Sequence, residues 1–239
     1  MMNRKNIICS LVLVGVVVLL VGCTRGVRGT GAMVARDFEI EDFTALDIRG
    51  GYHVTWRQSD NVSVTVEMQE NLFDYLQVSV EGNTLSVNST RNFHTSSRNR
   101  PQIYIYTPYL EMVSFYGAIN AENWDIVSGE SFSINGYGAT NVNISLAVET
   151  LEIDLSGAGD FTLSGTAETA NIITAGAANV SATHLQTRDA SIRLSGAGNI
   201  DIAASDHLSV DVSGAGQVRY TGNPTIDRNI SGLGRLEQR

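Results

Sequence analysis

The chain has 239 residues with 16 basic and 25 acidic side chains, a net charge of −9 and 43% hydrophobic residues. An acidic surface argues against nucleic acid and against anionic lipid held by a basic patch, because neither finds the cations it needs. The length suits one domain or two closely fused halves.

Residues 1–22 read as a signal peptide. Arg4 and Lys5 supply the positive start, and Ile7 to Leu19 form an apolar run interrupted only by Cys9, Ser10 and Gly15. The run is too short for a comfortable membrane span. Leu20-Val21-Gly22-Cys23 resembles the bacterial lipobox. The resemblance implies cleavage before Cys23, diacylglyceryl transfer to its sulfur, and a membrane partner reached through the lipid. The acyl chains bury enough CH₂ groups for stable anchoring. The mature chain then has no disulfide, no lysine, and 14 Arg against 25 acidic residues, a net charge of −11. Residues 23–36, glycine-rich from Gly26 to Gly31, read as a lipidated flexible tether.

A single continuous domain is expected over 37–239, in two parts. Residues 37–110 form an irregular N-terminal β half. Asp47-Ile48-Arg49-Gly50-Gly51 matches Asp154-Leu155-Ser156-Gly157-Ala158, which predicts an early coil. His53–Arg57 and Val62–Met68 alternate as strands. Glu70–Leu76 is the one plausible helix. Gly82-Asn83 between Val78–Val80 and Leu85–Val87 signals a hairpin. Thr90–Arg100 reads as an exposed loop, and Ile103–Tyr106 as a strand with one aromatic face.

Residues 111–239 repeat. Leu155-Ser156-Gly157-Ala158-Gly159-Asp160 returns as variants with their first glycine at Gly176, Gly196, Gly214 and Gly232, and weaker copies precede it at Gly117 and Gly138. The spacings are 21, 19, 19, 20, 18 and 18. Alternating strands flank every corner. They admit an antiparallel meander or a stack of parallel coils. Alignment of like with like, a column of corner glycines, and about twenty residues per coil favour the stack, an all-β solenoid of 18–21 residues per coil. The last coil is degenerate: Arg228 stands where Val210 and Ile192 stood, as expected of a terminal repeat that closes an edge.

These features together resemble a bacterial family. The lipobox, the entry strand Phe43–Ile48, Gly50-Gly51, Val62–Glu67, Glu70-Asn71-Leu72, Leu85-Ser86-Val87 and the Ser-Gly-Ala-Gly corners are similar to those of the auto-transporter adhesin head, or GIN domain, across roughly residues 38–220. The resemblance implies a right-handed parallel β-helix-like fold on exported, often lipid-anchored proteins, with no catalytic residues to carry over. The departures are Ala178, Ile119 and Thr140 in place of a corner glycine.

A polar column follows the corners: Asn120, Asn141, Asp160, Asn179, Asn199 and Gln217. It offers a ladder to a glycan, but capping of the turn backbone and amide bonding along the axis are the favoured roles. Calcium is disfavoured, since one corner alone carries Asp and the period is twice that of calcium-binding repeats. Asp154 and Asp211 on the outward column lie three coils apart, roughly 14 Å at the strand spacing, too far for paired glycosidase carboxylates. The histidines have no metal spacing, and no nucleophile elbow or phosphate loop occurs. No metal and no cofactor are therefore expected. Tyr104, Tyr106, Tyr109, Phe115, Tyr116, Trp124, Phe132 and Tyr137 are read either as core or as a platform for sugar rings or a partner. The expectation is a non-catalytic, envelope-anchored binding or adhesion lipoprotein, its ligand a glycan or an envelope protein. A structural or assembly factor is the alternative, and a carbohydrate-active enzyme the third reading. Thr24 lacks the Asp of inner-membrane retention, which by resemblance points to the outer membrane.

Overall fold

In a computed structural model, which describes residues 26–239, period-two alternation has become a parallel β-solenoid of about seven turns. The signal peptide and Cys23 lie outside the described residues. Fifteen extended segments occur in chain order: β1 (Val27–Arg28), β2 (Met33–Phe38), β3 (Ala45–Gln58), β4 (Ser63–Gln69), β5 (Leu76–Glu81), β6 (Thr84–Ser89), β7 (Phe93–His94), β8 (Gln102–Thr107), β9 (Met112–Glu122), β10 (Val127–Ala139), β11 (Asn141–Gly196), β12 (Asn199–Gly214), β13 (Gln217–Thr221), β14 (Thr225–Gly232) and β15 (Arg235–Gln238). The long β11 winds through successive coils without losing its extended backbone.

Register follows the glycines. Gly50 pairs with Gly117, Gly117 with Gly138, Gly138 with Gly157, Gly196 with Gly214, and Gly214 with Gly232, all in parallel. Within β11, Gly176 abuts Gly157, and Gly196 abuts Gly176. Gly157 shows why no side chain fits this seam. Its φ is +152°, and a Cβ there would run into the Gly138 carbonyl oxygen. Coils stack at the strand spacing of about 4.8 Å only if the bend is bare.

Inside the coils, branched residues stack on their own kind. Ile134, Ile153, Ile172, Ile192 and Val210 are all buried on one column. β-Branched side chains suit this pleated, doubly flanked surface. Phe115 and Phe132 lie wholly in the core. Trp124 packs against Trp56 and Phe115 with ring centroids 6.1 and 6.4 Å apart, and its Nε1 donates to the Val54 carbonyl. The early aromatics are therefore divided between core and surface: Tyr104 and Tyr106 point outward from β8, Tyr109 is exposed, and Tyr116 and Tyr137 face solvent on the stack.

The first coil is closed by chain inserted between β3 and β9. β6 and β8 pair in parallel with the two arms of β3, so together they form a coil on its outer side. β4 then adds antiparallel to β8, β2 antiparallel to β4, and β5 antiparallel to β6. A 3₁₀ turn, Glu70–Tyr75, buries Leu72 and Phe73 under them. An uncovered coil would present a row of unpaired donors and acceptors, and the antiparallel layers end it.

This arrangement corrects two sequence expectations. Residues 23–36 are not a free tether throughout: Val27–Arg28 pairs with Phe93–His94, and Met33–Phe38 lies along β4. Glycine content suggested flexibility, but the alternating chain from Met33 found a free strand edge. The exposed segment Thr90–Arg100 likewise contributes β7 and a 3₁₀ turn, Ser97–Asn99.

Candidate functional site

The coil presents three outward surfaces: the strand before each glycine corner, the strand after it, and the return run that leads to the next coil. On the strand after the corner, the polar column is bonded along the solenoid axis. Asn141 Oδ1 accepts from the Asp160 backbone N–H at 3.3 Å. Asn179 Nδ2 donates to Asp160 Oδ1, and Asn199 Nδ2 to Asn179 Oδ1, both at 3.0 Å. The two ends depart from this pattern. Asn120 Nδ2 contacts His53 Nδ1 at 3.1 Å and donates to Glu122 at 2.7 Å. Gln217 donates to Glu237 at 2.9 Å.

His53 is a rung that the sequence reading passed over. It pairs in register with Asn120 and follows Gly50 by three positions, the same offset that places Asn120 after Gly117. Burial, helped by the charge of Arg100 and opposed by Glu122, holds its imidazole below the ordinary value.

The strand before the corner carries two outward columns. One runs Asp47, Ser114, Asn135, Asp154, and on the far side of β11 Arg193, Asp211 and Asn229. The other, next to the glycines, runs Arg49, Tyr116, Tyr137, Ser156, and later Ser195, Ser213 and Ser231. Tyr116 and Tyr137 are stacked with centroids 4.8 Å apart and planes 12° from parallel. The Arg49 guanidinium lies 4.0 Å above the Tyr116 ring and is held by Asp47 through two hydrogen bonds of 2.7 and 2.8 Å.

The return run forms a groove of about 1050 Å³. Its floor is made of small side chains, among them Ala147, Thr166 and Ala203, and its rim carries Glu149, Glu168 and Arg188. Lining residues from Gly129 to Asn223 span six coils, so the groove extends about 24 Å at the strand spacing. Arg188 pairs with Asp206 at 3.1 Å. The Ser205 hydroxyl and Arg188 together hold the Asp206 carboxyl below its usual range. Sequence reading missed this groove because the return run varies in length, and the register shifts between Ala182 and Gln186 and again between Thr187 and Asp189. Among the described residues, no group of three or more His, Cys, Asp or Glu is placed to hold a metal ion, and no helix is long and apolar enough to cross a membrane.

The fold and its corners can be set beside known proteins. A putative adhesin from Bacteroides fragilis has the same fold with a TM-score of 0.83 and 25% identity, over 90% of this chain and all of that one. A protein from Parabacteroides distasonis, described as a putative lipid binding protein, superposes with a TM-score of 0.67 at 21% identity, over 89% of this chain and 99% of its own. A putative adhesin from Parabacteroides merdae gives 0.65 at 18% identity, over 89% and 98%. Among curated proteins none matches the chain. The model of the family "Putative auto-transporter adhesin, head GIN domain" matches residues 42–224, which run from β3 through β13. The chain belongs to the GIN-domain family of auto-transporter adhesin heads.

Proposed function

We infer that this is an exported, lipid-anchored, non-catalytic binding module that holds an extended ligand against the side of its solenoid. The observation that carries the reading is the return groove. It runs across six coils, is about 1050 Å³ in volume, and is floored by small side chains and rimmed by Glu149, Glu168 and Arg188. In-register coils repeat one surface many times, which suits a polymer, glycan or polypeptide, lying along the axis. The wide spacing of Asp154 and Asp211 along their column supports binding over hydrolysis. Membership of an adhesin family and the lipobox at Cys23 support an envelope location, with the outer membrane as its site.

A second reading, an assembly factor, draws on β14 and β15, which pair with a neighbouring coil on one side only. Arg228 on that edge opposes addition of another strand.

The groove is tested by filling it. Ala147→Trp with Thr166→Trp places two rings on exposed positions of adjacent coils. Cells carrying the wild-type protein should retain at least one of a panel of immobilised polysaccharides and envelope proteins. Cells carrying the double variant at equal abundance should lose that retention. Equal retention would remove the groove from the account.

A further inference from the structure

The aromatic column stops with one ring face uncovered. Tyr116 is covered on one side by Arg49 and on the other by Tyr137. Tyr137 is covered by Tyr116 alone, because its next partner in register is Ser156. Ala175 and Ser195 follow on the same column, each immediately before a seam glycine, so a run of small side chains continues beyond the ring.

Beside that uncovered face is Asp154. It occupies, in its coil, the position that Asp47 occupies in the first coil, since Asp47, Ser114, Asn135 and Asp154 are successive register partners. Asp47 binds the Arg49 guanidinium in fork geometry while that guanidinium stacks on Tyr116. The coil of Asp154 repeats the carboxylate and lies against the ring of a neighbouring coil, Tyr137, but has Ser156 where the first coil has Arg49. Among the described residues Asp154 has no salt-bridge partner. Burial first, and the Asp154 charge after it, hold the Tyr137 hydroxyl's pKa above its ordinary value, which places the carboxylate near the ring.

The geometry points to a guanidinium slot bounded by the Tyr137 ring, the Asp154 carboxylate and Ser156, which takes an arginine side chain from a protein partner as the first coil takes its own Arg49. A planar cation gains both the quadrupole of the ring face and a bidentate carboxylate, a combination that lysine does not match. The net charge of −9 favours a basic partner through the long-range field. The inference rests on the reading of the protein as a binding module and gives one class of partner for it. The slot lies on the strand before the corner, apart from the return groove.

The test is saturation-transfer NMR on the full-length lipoprotein in detergent micelles. The probes are N-acetyl-arginine amide, its lysine and citrulline counterparts, and a methyl hexoside. The arginine probe should receive saturation at its Hγ and Hδ protons, and the citrulline and lysine probes at least about fivefold less. Asp154→Asn and Tyr137→Ala should each weaken arginine binding about tenfold or more, the scale of one lost charge-assisted contact. Ser156→Arg should abolish it by filling the slot in cis. Both Asp154 and Ser156 are exposed, so these two variants should melt with the wild type. Absence of arginine saturation, equal saturation of citrulline, or arginine binding that survives Asp154→Asn and Ser156→Arg would overturn the slot. Tyr137-dependent saturation of the hexoside without the arginine probe would overturn it in favour of a sugar site. Retention through the groove is scored separately by the Trp-filled variant, so failure of the slot leaves that reading standing.

Discussion

Asn179 donates through Nδ2 to Asp160 Oδ1 at 3.0 Å, and its own Oδ1 accepts from Asn199 at the same distance. An amide at this rung serves both neighbours, which a carboxylate cannot. Asn179→Asp removes the donor and sets two carboxylates on adjacent coils. The expected loss at neutral pH is about 1 kcal/mol, reduced by salt because the rung is exposed. Acidification through the carboxylate range should shrink the difference from wild type, since protonation restores a donor and removes the repulsion. Urea denaturation at pH 7 and pH 3.5 measures both. A difference that is unchanged between the two would show that the ladder does not bond along the axis.

The seam makes a sharper demand on backbone. Gly157 combines a φ of +152° with a neighbour carbonyl in the path of any Cβ, whereas a Cβ on Gly51 meets nothing within 4 Å. Gly157→Val should destabilise by about 1–3 kcal/mol, and Gly51→Ala should stay within about 0.5 kcal/mol. Thermal denaturation of the pair distinguishes a specific requirement of the seam from a general intolerance of side chains at the corner.

His53 gives the N-terminal coil a pH dependence of definite sign. Its imidazole is held below the ordinary 6.5, chiefly by burial, with Arg100 adding to the effect. As pH falls below that value the unfolded chain takes up the proton first. The stability that His53 contributes is therefore full above about pH 6.5 and is lost through the window below it. His53→Asn installs the residue found at the next rung and should flatten this slope. Denaturation at pH 7.5 and 5.5 tests it, and a wild type that gains stability on acidification relative to the variant would contradict the assignment.

At the opposite end, Arg228 pairs in register with Val210, a core residue, yet is itself exposed. A charge at this place interrupts the apolar column where the coil edge is free, a common protection against edge-to-edge association. Arg228→Ile should extend the Ile192–Val210 column to the edge and produce concentration-dependent oligomers in sedimentation velocity. A variant that sediments as the wild type does at every concentration would mean that another feature blunts this edge.

Much of this was legible because the coils repeat. The spacing of the corner glycines predicted parallel stacking and the columns on either side of them. The match of Asp47–Gly51 to Asp154–Ala158 located the first coil, and Gly82-Asn83 the hairpin of β5 and β6. What could not be read depends on chain order. β6 and β8 lie outside β3 although they follow it, because the chain leaves the stack after one coil to build its cap. Nothing periodic marks such a detour. The segment Val27–Phe38 looked like a tether because its strand partners lie in that same cap. The surface was less legible than the core. Asn141, Asp160, Asn179 and Asn199 were found as a column, but their mutual bonds depend on rotamers, and the groove depends on returns of unequal length. His53 and the Arg49–Tyr116–Tyr137 stack each keep a fixed offset from a seam glycine, a signal present in the sequence once Gly50 is placed on the seam.

Adhesion, the role we propose, requires the solenoid to stand on the outer face of the envelope. Proteolysis of intact cells tests it most directly, with a periplasmic protein followed as the marker of lysis. The domain is expected to be removed while the marker remains whole. Survival of the domain on intact cells, with digestion only after the envelope is broken, would contradict it.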